Sequence, residues 1–245
     1  MPRITLKRPP EFIPADEICL FLDFDGTLVR LAESLDDVVV DRALTALLDS
    51  LALRLSGRLA LLSGRSIAQL DDMLRGMTIA MAGSHGGEIR HRDMVAVAVG
   101  RPQALGIVET ELADTFRDRK GVIVEVKTLG VAIHYRLDPS AETEIHAVMA
   151  SLSEAHGLDF QTGKMMVELR TTGHNKGTAL AAMMQDPPFA GHTPVFIGDD
   201  VTDEDGFVAC AALGGAGILV GQERQSAARY RLDDVADVHQ WLSTL

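Results

Sequence analysis

The chain is poor in cysteine, in aromatic residues and in positive charge, and each shortage closes off a class of protein. Its 2 cysteines are Cys19, which opens an apolar run, and Cys210, in a run of small residues; they make no disulfide framework, so a reduced compartment, the cytoplasm, is expected. Lys and Arg number 23 against 35 Asp and Glu, a net charge of −12, which leaves no basic surface for a nucleic-acid backbone. No apolar stretch approaches the roughly 20 residues of a membrane helix. Residues 1–16 mix Arg3, Lys7 and Arg8 with prolines and hold no apolar stretch of signal-peptide length. What remains is a soluble chain of 245 residues, 47% hydrophobic, enough for one large core with at most a smaller inserted unit. If so acidic a chain binds an anion, it needs a local cation.

Residues 18–24 form a near-continuous apolar run ending in acid, the pattern of a parallel strand covered on both faces. After Asp41, a candidate N-cap, Ala43, Leu44, Leu47, Leu48 and Leu51 recur at helical spacing, and residues 59–62 make a second short strand. Ser66 with Gln69 forms a capping-box pattern for a helix to Arg75, followed by a strand at 77–82. This alternation predicts a doubly wound, mostly parallel Rossmann-like α/β sheet. The order changes after the alternating stretch 95–99. Helices are expected at 103–119 and 140–156, strands at 122–127 and 131–136 joined by a short turn at Gly130, and an extended stretch at 164–170. Residues 99–171 therefore read as an inserted α+β cap, and 1–98 with 172–245 as a discontinuous core. In the second part of that core, a helix from about Asn175, a strand at 195–197, a helix at 205–213, a strand at 218–220 and a helix after Asp234 resume the first pattern.

Several expected strand ends carry chemistry. Asp23 and Asp25 are two apart on an extended segment, so their side chains point to one side about 6–7 Å apart. Gly26 and Thr27 follow in a turn whose backbone N–H groups suit phosphate, although Asp and Gly also favour turns for purely local reasons. Ser63 ends the second strand, Lys176 opens a helix, and Asp199, Asp200 and Asp203 follow the strand at 195–197. Two carboxylates about 4 Å apart repel by roughly 4 kcal/mol at an effective dielectric constant of about 20, and a phosphate dianion adds to that. Carboxylates sharing a magnesium ion through Asp23 and Asp199, with Lys176 and Ser63 on the remaining phosphoryl oxygens, would relieve it.

These elements, in this order, resemble the haloacid dehalogenase superfamily of phosphohydrolases over nearly the whole chain. The resemblance implies that Asp23 is the nucleophile, Asp25 the general acid and base, and Ser63 and Lys176 the phosphate holders. It also implies a magnesium ion on Asp23, Asp199 and the backbone carbonyl of Asp25. Thr27 either orients this loop at the phosphate or is a structural turn hydroxyl. Asp200 and Asp203 are expected behind the metal's ligands or on the metal through water, with Asp203 also capping the following helix.

In the cap, Glu125 and Lys127 share one strand face and Val122, Val124 and Val126 the other, while Lys164, Glu168 and Arg170 oppose Met165, Val167 and Leu169. The helices should cover the apolar side. The polar side either faces solvent or meets a hydroxyl-rich ligand. The motifs at 22–28, 62–65, 83–88, 125–127, 134–136, 167–170 and 198–205 resemble the trehalose-6-phosphate phosphatase family. That resemblance implies sugar contacts from Glu125, Lys127 and Glu168, and hydrolysis of trehalose 6-phosphate through an aspartyl phosphate. The partner is then a small sugar phosphate, with no nucleic acid and no membrane; association with a synthase is not readable. His85 either contacts substrate or packs in its glycine-rich turn, and Arg65 either binds phosphate or pairs with a nearby acid. A phosphatase for sucrose phosphate or a glycosyl phosphoglycerate, a phosphomutase, and a non-catalytic sugar-phosphate-binding protein are the alternatives.

Overall fold

The apolar run that ends in acid becomes a strand buried at every position, Ile18–Leu22. The structure is a computed structural model that describes residues 6–11, 13–31, 38–91, 97–163 and 165–245. The first residues of the chain, part of the alternation at 95–99, and Lys164 lie outside them. Two units emerge, Met1–Ala98 with Asn175–Leu245, and Val99–His174. The first begins with β1 (Ile18–Leu22), α1 (Arg42–Arg54), β2 (Leu59–Leu62), α2 (Ile67–Leu74), β3 (Ala80–Gly83), β4 (Glu88–Arg90) and β5 (Val97–Ala98). The second unit follows with α3 (Gln103–Thr115), β6 (Ile123–Val126), β7 (Gly130–His134), α4 (Glu142–His156), β8 (Asp159–Gly163) and β9 (Met166–Arg170). The chain returns to the first unit with α5 (Lys176–Met183), β10 (Thr193–Gly198), α6 (Glu204–Ala212), β11 (Ala216–Val220), β12 (Tyr230–Leu232) and α7 (Val235–Thr244).

Among the described residues the first unit has an eight-stranded sheet in the order β12-β11-β10-β1-β2-β3-β4-β5. It is parallel from β12 to β3 and antiparallel at the β4 and β5 edge. Alternate residues of β1 feed two cores. Leu20 and Leu22 pack with α1, α2 and α7 through Leu48, Leu70 and Trp241, whereas Cys19 and Phe21 pack with α5 and α6 through Leu180 and Phe207. From β1 the chain crosses to β2 on one side, and from β10 to β11 on the other. That reversal leaves a crevice at the carboxyl ends of β1 and β10, where sheets of this kind bind ligands.

Local signals are met where side chains close them. Asp41 accepts from Leu44 N at 2.8 Å at the start of α1, and Ser66 with Gln69 forms the reciprocal box that opens α2. The second unit is an antiparallel sheet, β6-β7-β9-β8, with α3 and α4 on one face. Their residues Leu105, Val108, Leu112, Ile145, Met149 and Leu152 pack on Val131, Ile133, Val167 and Leu169. Two details depart from the sequence pattern. Gly130 belongs to β7 rather than to the turn, its carbonyl accepting from Lys127 N at 3.0 Å. Val126 is 60% exposed, because β6 is an edge strand that the helices do not fully cover. No helix among the described residues is long and apolar enough to cross a membrane.

Candidate active site

Asp23 leaves the end of β1 with its backbone N–H bonded to Ile197 of β10 at 2.9 Å, which fixes it beside the loop that carries Asp199. Oxygens of Asp23, Asp199 and Asp203 lie within 4.8 Å of one another. Lys176 Nζ, at the first position of α5, donates to Asp23 Oδ1 and to Asp203 Oδ1, both at 2.6 Å. Asn175 caps that helix, accepting from Thr178 N at 2.7 Å, so the lysine starts from a fixed point. Gly26, at φ +88°, is required here, since a Cβ would stand 2.1 Å from Asp199 Oδ2.

One ammonium cannot neutralise three carboxylates, of which Asp23 and Asp203 are buried and Asp199 half-buried. Burial, reinforced by Asp203 and opposed by Lys176, pushes the Asp199 carboxyl up to about 7. Asp23 is likewise raised well above the usual carboxylate range by burial, against the pull of Lys176 and with Asp203 and Asp199 adding to it. Burial alone would discharge Lys176, but the carboxylates of Asp203 and Asp23 outweigh it and hold the ammonium above its ordinary value. Asp23 Oδ2 and Asp199 Oδ1 are buried without a hydrogen-bond partner. Unpaired anionic oxygens in an all-oxygen donor set fit a hard divalent cation.

Asp203 sits inside this cluster, where the sequence pattern gave it a part in capping α6. Its side chain makes no cap bond to that helix; Oδ2 accepts instead from Asp200 N at 2.9 Å. The Asp199-to-Asp203 spacing, one turn of 3-10 helix, was the available signal. Asp200 points elsewhere: it is exposed and accepts from Val201 N at 2.7 Å. The sequence pattern gave no sign of Arg224, which pairs with Glu204 and donates to Asp200 O at 2.8 Å. Glu204 also accepts from Ala227 N at 2.8 Å, tying the segment after β11 to the acidic turn.

Ser63 follows β2, fully buried, and its oxygen accepts from Arg65 N at 3.1 Å, which leaves the hydroxyl hydrogen for another acceptor. Arg65 resolves to an ion pair. Its Nε and Nη2 donate to the two oxygens of Asp25 at 2.6 and 2.7 Å, with the guanidinium 5.8 Å from the Phe24 ring centroid. Thr27 is fully buried and its hydroxyl has no hydrogen-bond partner among the described residues. Ser84 and His85 both hold positive φ, a costly conformation kept by Ser84 N to Arg65 O at 2.8 Å and His85 N to Ser63 O at 3.0 Å. The buried Glu88 adds a bond from Ser84 Oγ and one from Ile67 N at 3.2 Å. His85 is thereby laid against Gly64, where a Cβ would come within 2.7 Å of its Nε2.

In the second unit, Glu125, Lys127 and Glu168 share the sheet face opposite the helices. Lys127 Nζ donates to Glu168 Oε2 at 2.6 Å, and His134 Nε2 to Glu125 Oε2 at 2.8 Å.

A doubly wound sheet whose strand ends gather carboxylates round one buried lysine, interrupted by an α+β unit, is the arrangement expected of a phosphohydrolase of the haloacid dehalogenase type, the class the sequence motifs resemble. The fold of the C-terminal domain of C. albicans trehalose-6-phosphate phosphatase is similar over 99% of this chain and 98% of that one, with a TM-score of 0.83 at 18% identity. The sequence profile of the trehalose-phosphatase family matches residues 21–236. A probable trehalose-phosphate phosphatase of Sinorhizobium fredii is 40% identical over 84% of this chain and 78% of its own length. The trehalose-6-phosphate phosphatase of Escherichia coli is 36% identical over 92% of this chain and 85% of its own. The chain belongs to the trehalose-phosphatase family.

Proposed function

We propose that this protein is a magnesium-dependent cytoplasmic phosphatase that converts trehalose 6-phosphate into trehalose and phosphate through a phosphorylated Asp23. The observation that carries this reading is the cluster of Asp23, Asp199 and Asp203 around the buried Lys176, with carboxylate oxygens left unpaired. In this reading the first unit is the catalytic core and the second sets specificity. Magnesium on Asp23, Asp199 and Asp203, with the Asp25 carbonyl, would supply the positive charge that lets a phosphate dianion approach three carboxylates.

Asp23 attacks phosphorus while the bond from phosphorus to the sugar oxygen breaks, and Asp25 delivers a proton to that departing oxygen. Asp25 then takes a proton from the water that cleaves the acyl phosphate, which restores Asp23. Both oxygens of Asp25 are engaged by Arg65, so the carboxylate must leave that pair to act. Ser63 O–H and the Lys176 ammonium donate to the phosphoryl oxygens as charge spreads over them. Thr27 and His85 lie beside the same loops and are assigned to phosphate and substrate contact. Glu125, Lys127 and Glu168 take the sugar hydroxyls, carboxylates accepting and the ammonium donating.

Asp23→Asn tests the mechanism. It should abolish phosphate release from trehalose 6-phosphate and from p-nitrophenyl phosphate alike, because both need the same nucleophile. Substantial turnover of either by the variant contradicts it.

A further inference from the structure

On the polar face of the second unit, the middle strand carries almost nothing. Register places Ala132 of β7 between Glu125 of β6 and Glu168 of β9, and Gly130 beside Arg170. Neighbouring strands lie about 4.8 Å apart, so β6 and β9 are separated by roughly 10 Å. Lys127 and Glu168 nevertheless meet at 2.6 Å, because only Gly130 and Ala132 stand between them. The room at Gly130 is specific: a Cβ there would lie 2.7 Å from Glu168 Oε1 and 3.1 Å from Leu169 O. His134, one residue pair further along β7, reaches diagonally to Glu125 and donates to Oε2 at 2.8 Å.

We infer that strand β7 positions the two sugar-facing carboxylates, Gly130 by leaving the space that Glu168 occupies and His134 by holding Glu125. The inference rests on the reading of Glu125 and Glu168 as sugar contacts. One oxygen of each carboxylate is held, Glu168 by Lys127 and Glu125 by His134, and that sets how the carboxylate is oriented on the sheet face. Neither β7 residue needs to touch the sugar; both act through a neighbour whose position decides whether a hydroxyl is met. The clash at Gly130 falls mainly on the far end of a flexible side chain. A methyl group there displaces the Glu168 carboxylate before it disturbs the sheet, so Gly130→Ala is a selective change.

The test measures kcat and KM for trehalose 6-phosphate and for p-nitrophenyl phosphate, which has no sugar, in Gly130→Ala, His134→Ala, His134→Gln, Glu125→Gln and Glu168→Gln. Gly130→Ala and His134→Ala should raise KM for trehalose 6-phosphate about tenfold, the loss expected for one hydrogen bond to a charged group, and should lower the selectivity ratio between the two substrates equally. His134→Gln, which keeps a donor, should recover most of that loss; a purely structural role would not be rescued this way. If Glu125→Gln and Glu168→Gln lose selectivity while the β7 variants keep it, the positioning inference is overturned and the sugar-contact reading stands. If neither glutamine variant changes selectivity, the sugar-contact reading is overturned and the inference falls with it. His134 is a third exposed, so its variants remain informative even if Gly130→Ala loses thermal stability.

Discussion

At the scale of single residues, the chemistry turns on a charge imbalance. Asp23, Asp199 and Asp203 share one buried ammonium, and the surplus shows as a proton retained by Asp199 up to about pH 7. The unfolded chain holds that proton only to its ordinary value of 3.8. Between the two values the folded state binds more protons than the unfolded one, so this group's contribution to stability is full below the lower value and is lost as pH rises through the upper. Metal-free protein in EDTA should therefore show a component of melting temperature that declines from about pH 4 to about pH 7. Asp199→Asn should flatten that decline, and magnesium should offset it. An unchanged slope in the variant would remove Asp199 as its source. The positions of Asp23, Asp25, Ser63, Lys176 and Asp199 were legible from strand ends and motifs, but their pairings were not. Arg65 reaches Asp25 across 40 residues, and Asp203 reaches Lys176 across 27, distances over which local pattern carries no information.

At the scale of elements, two helical glycines separate backbone propensity from packing. Gly106, the fourth residue of α3, is exposed, and a Cβ there would meet nothing within 4 Å. Gly106→Ala should raise stability by about 0.5–1 kcal/mol, since alanine loses less chain freedom in a helix. Gly177, in the first turn of α5, is where that helix meets α6: a Cβ would lie 2.4 Å from Asp205 O. Gly177→Ala should cost about 1–3 kcal/mol as the helices are forced apart, and should lower kcat because Lys176 precedes it. Denaturant unfolding of both variants, with opposite signs of effect, checks the pair; equal effects would contradict it. The sequence showed helices well where side chains close their ends, as at Asp41 and Ser66, and strands well where they are wholly apolar. It did not show β4, β8 and β12. In β8, Asp159–Gly163, Phe160 is the sole large apolar residue, so pairing with β9 makes the strand and no alternation announces it.

At the scale of the whole molecule, the doubly wound fold was readable because β1, β2 and the 195–197 stretch of β10 are apolar runs separated by helical periodicity, which a sheet covered on both faces demands. The chemistry collects where that topology reverses, at the ends of β1 and β10. The choice of ester is assigned to the polar face of the second unit. Phosphate release from trehalose 6-phosphate, sucrose 6-phosphate, glucose 6-phosphate and p-nitrophenyl phosphate, each with magnesium and again with excess EDTA, tests that account most directly. It predicts turnover strongly favouring trehalose 6-phosphate and abolished by EDTA; equal rates across the panel, a preference for sucrose 6-phosphate, or full activity in EDTA would contradict it.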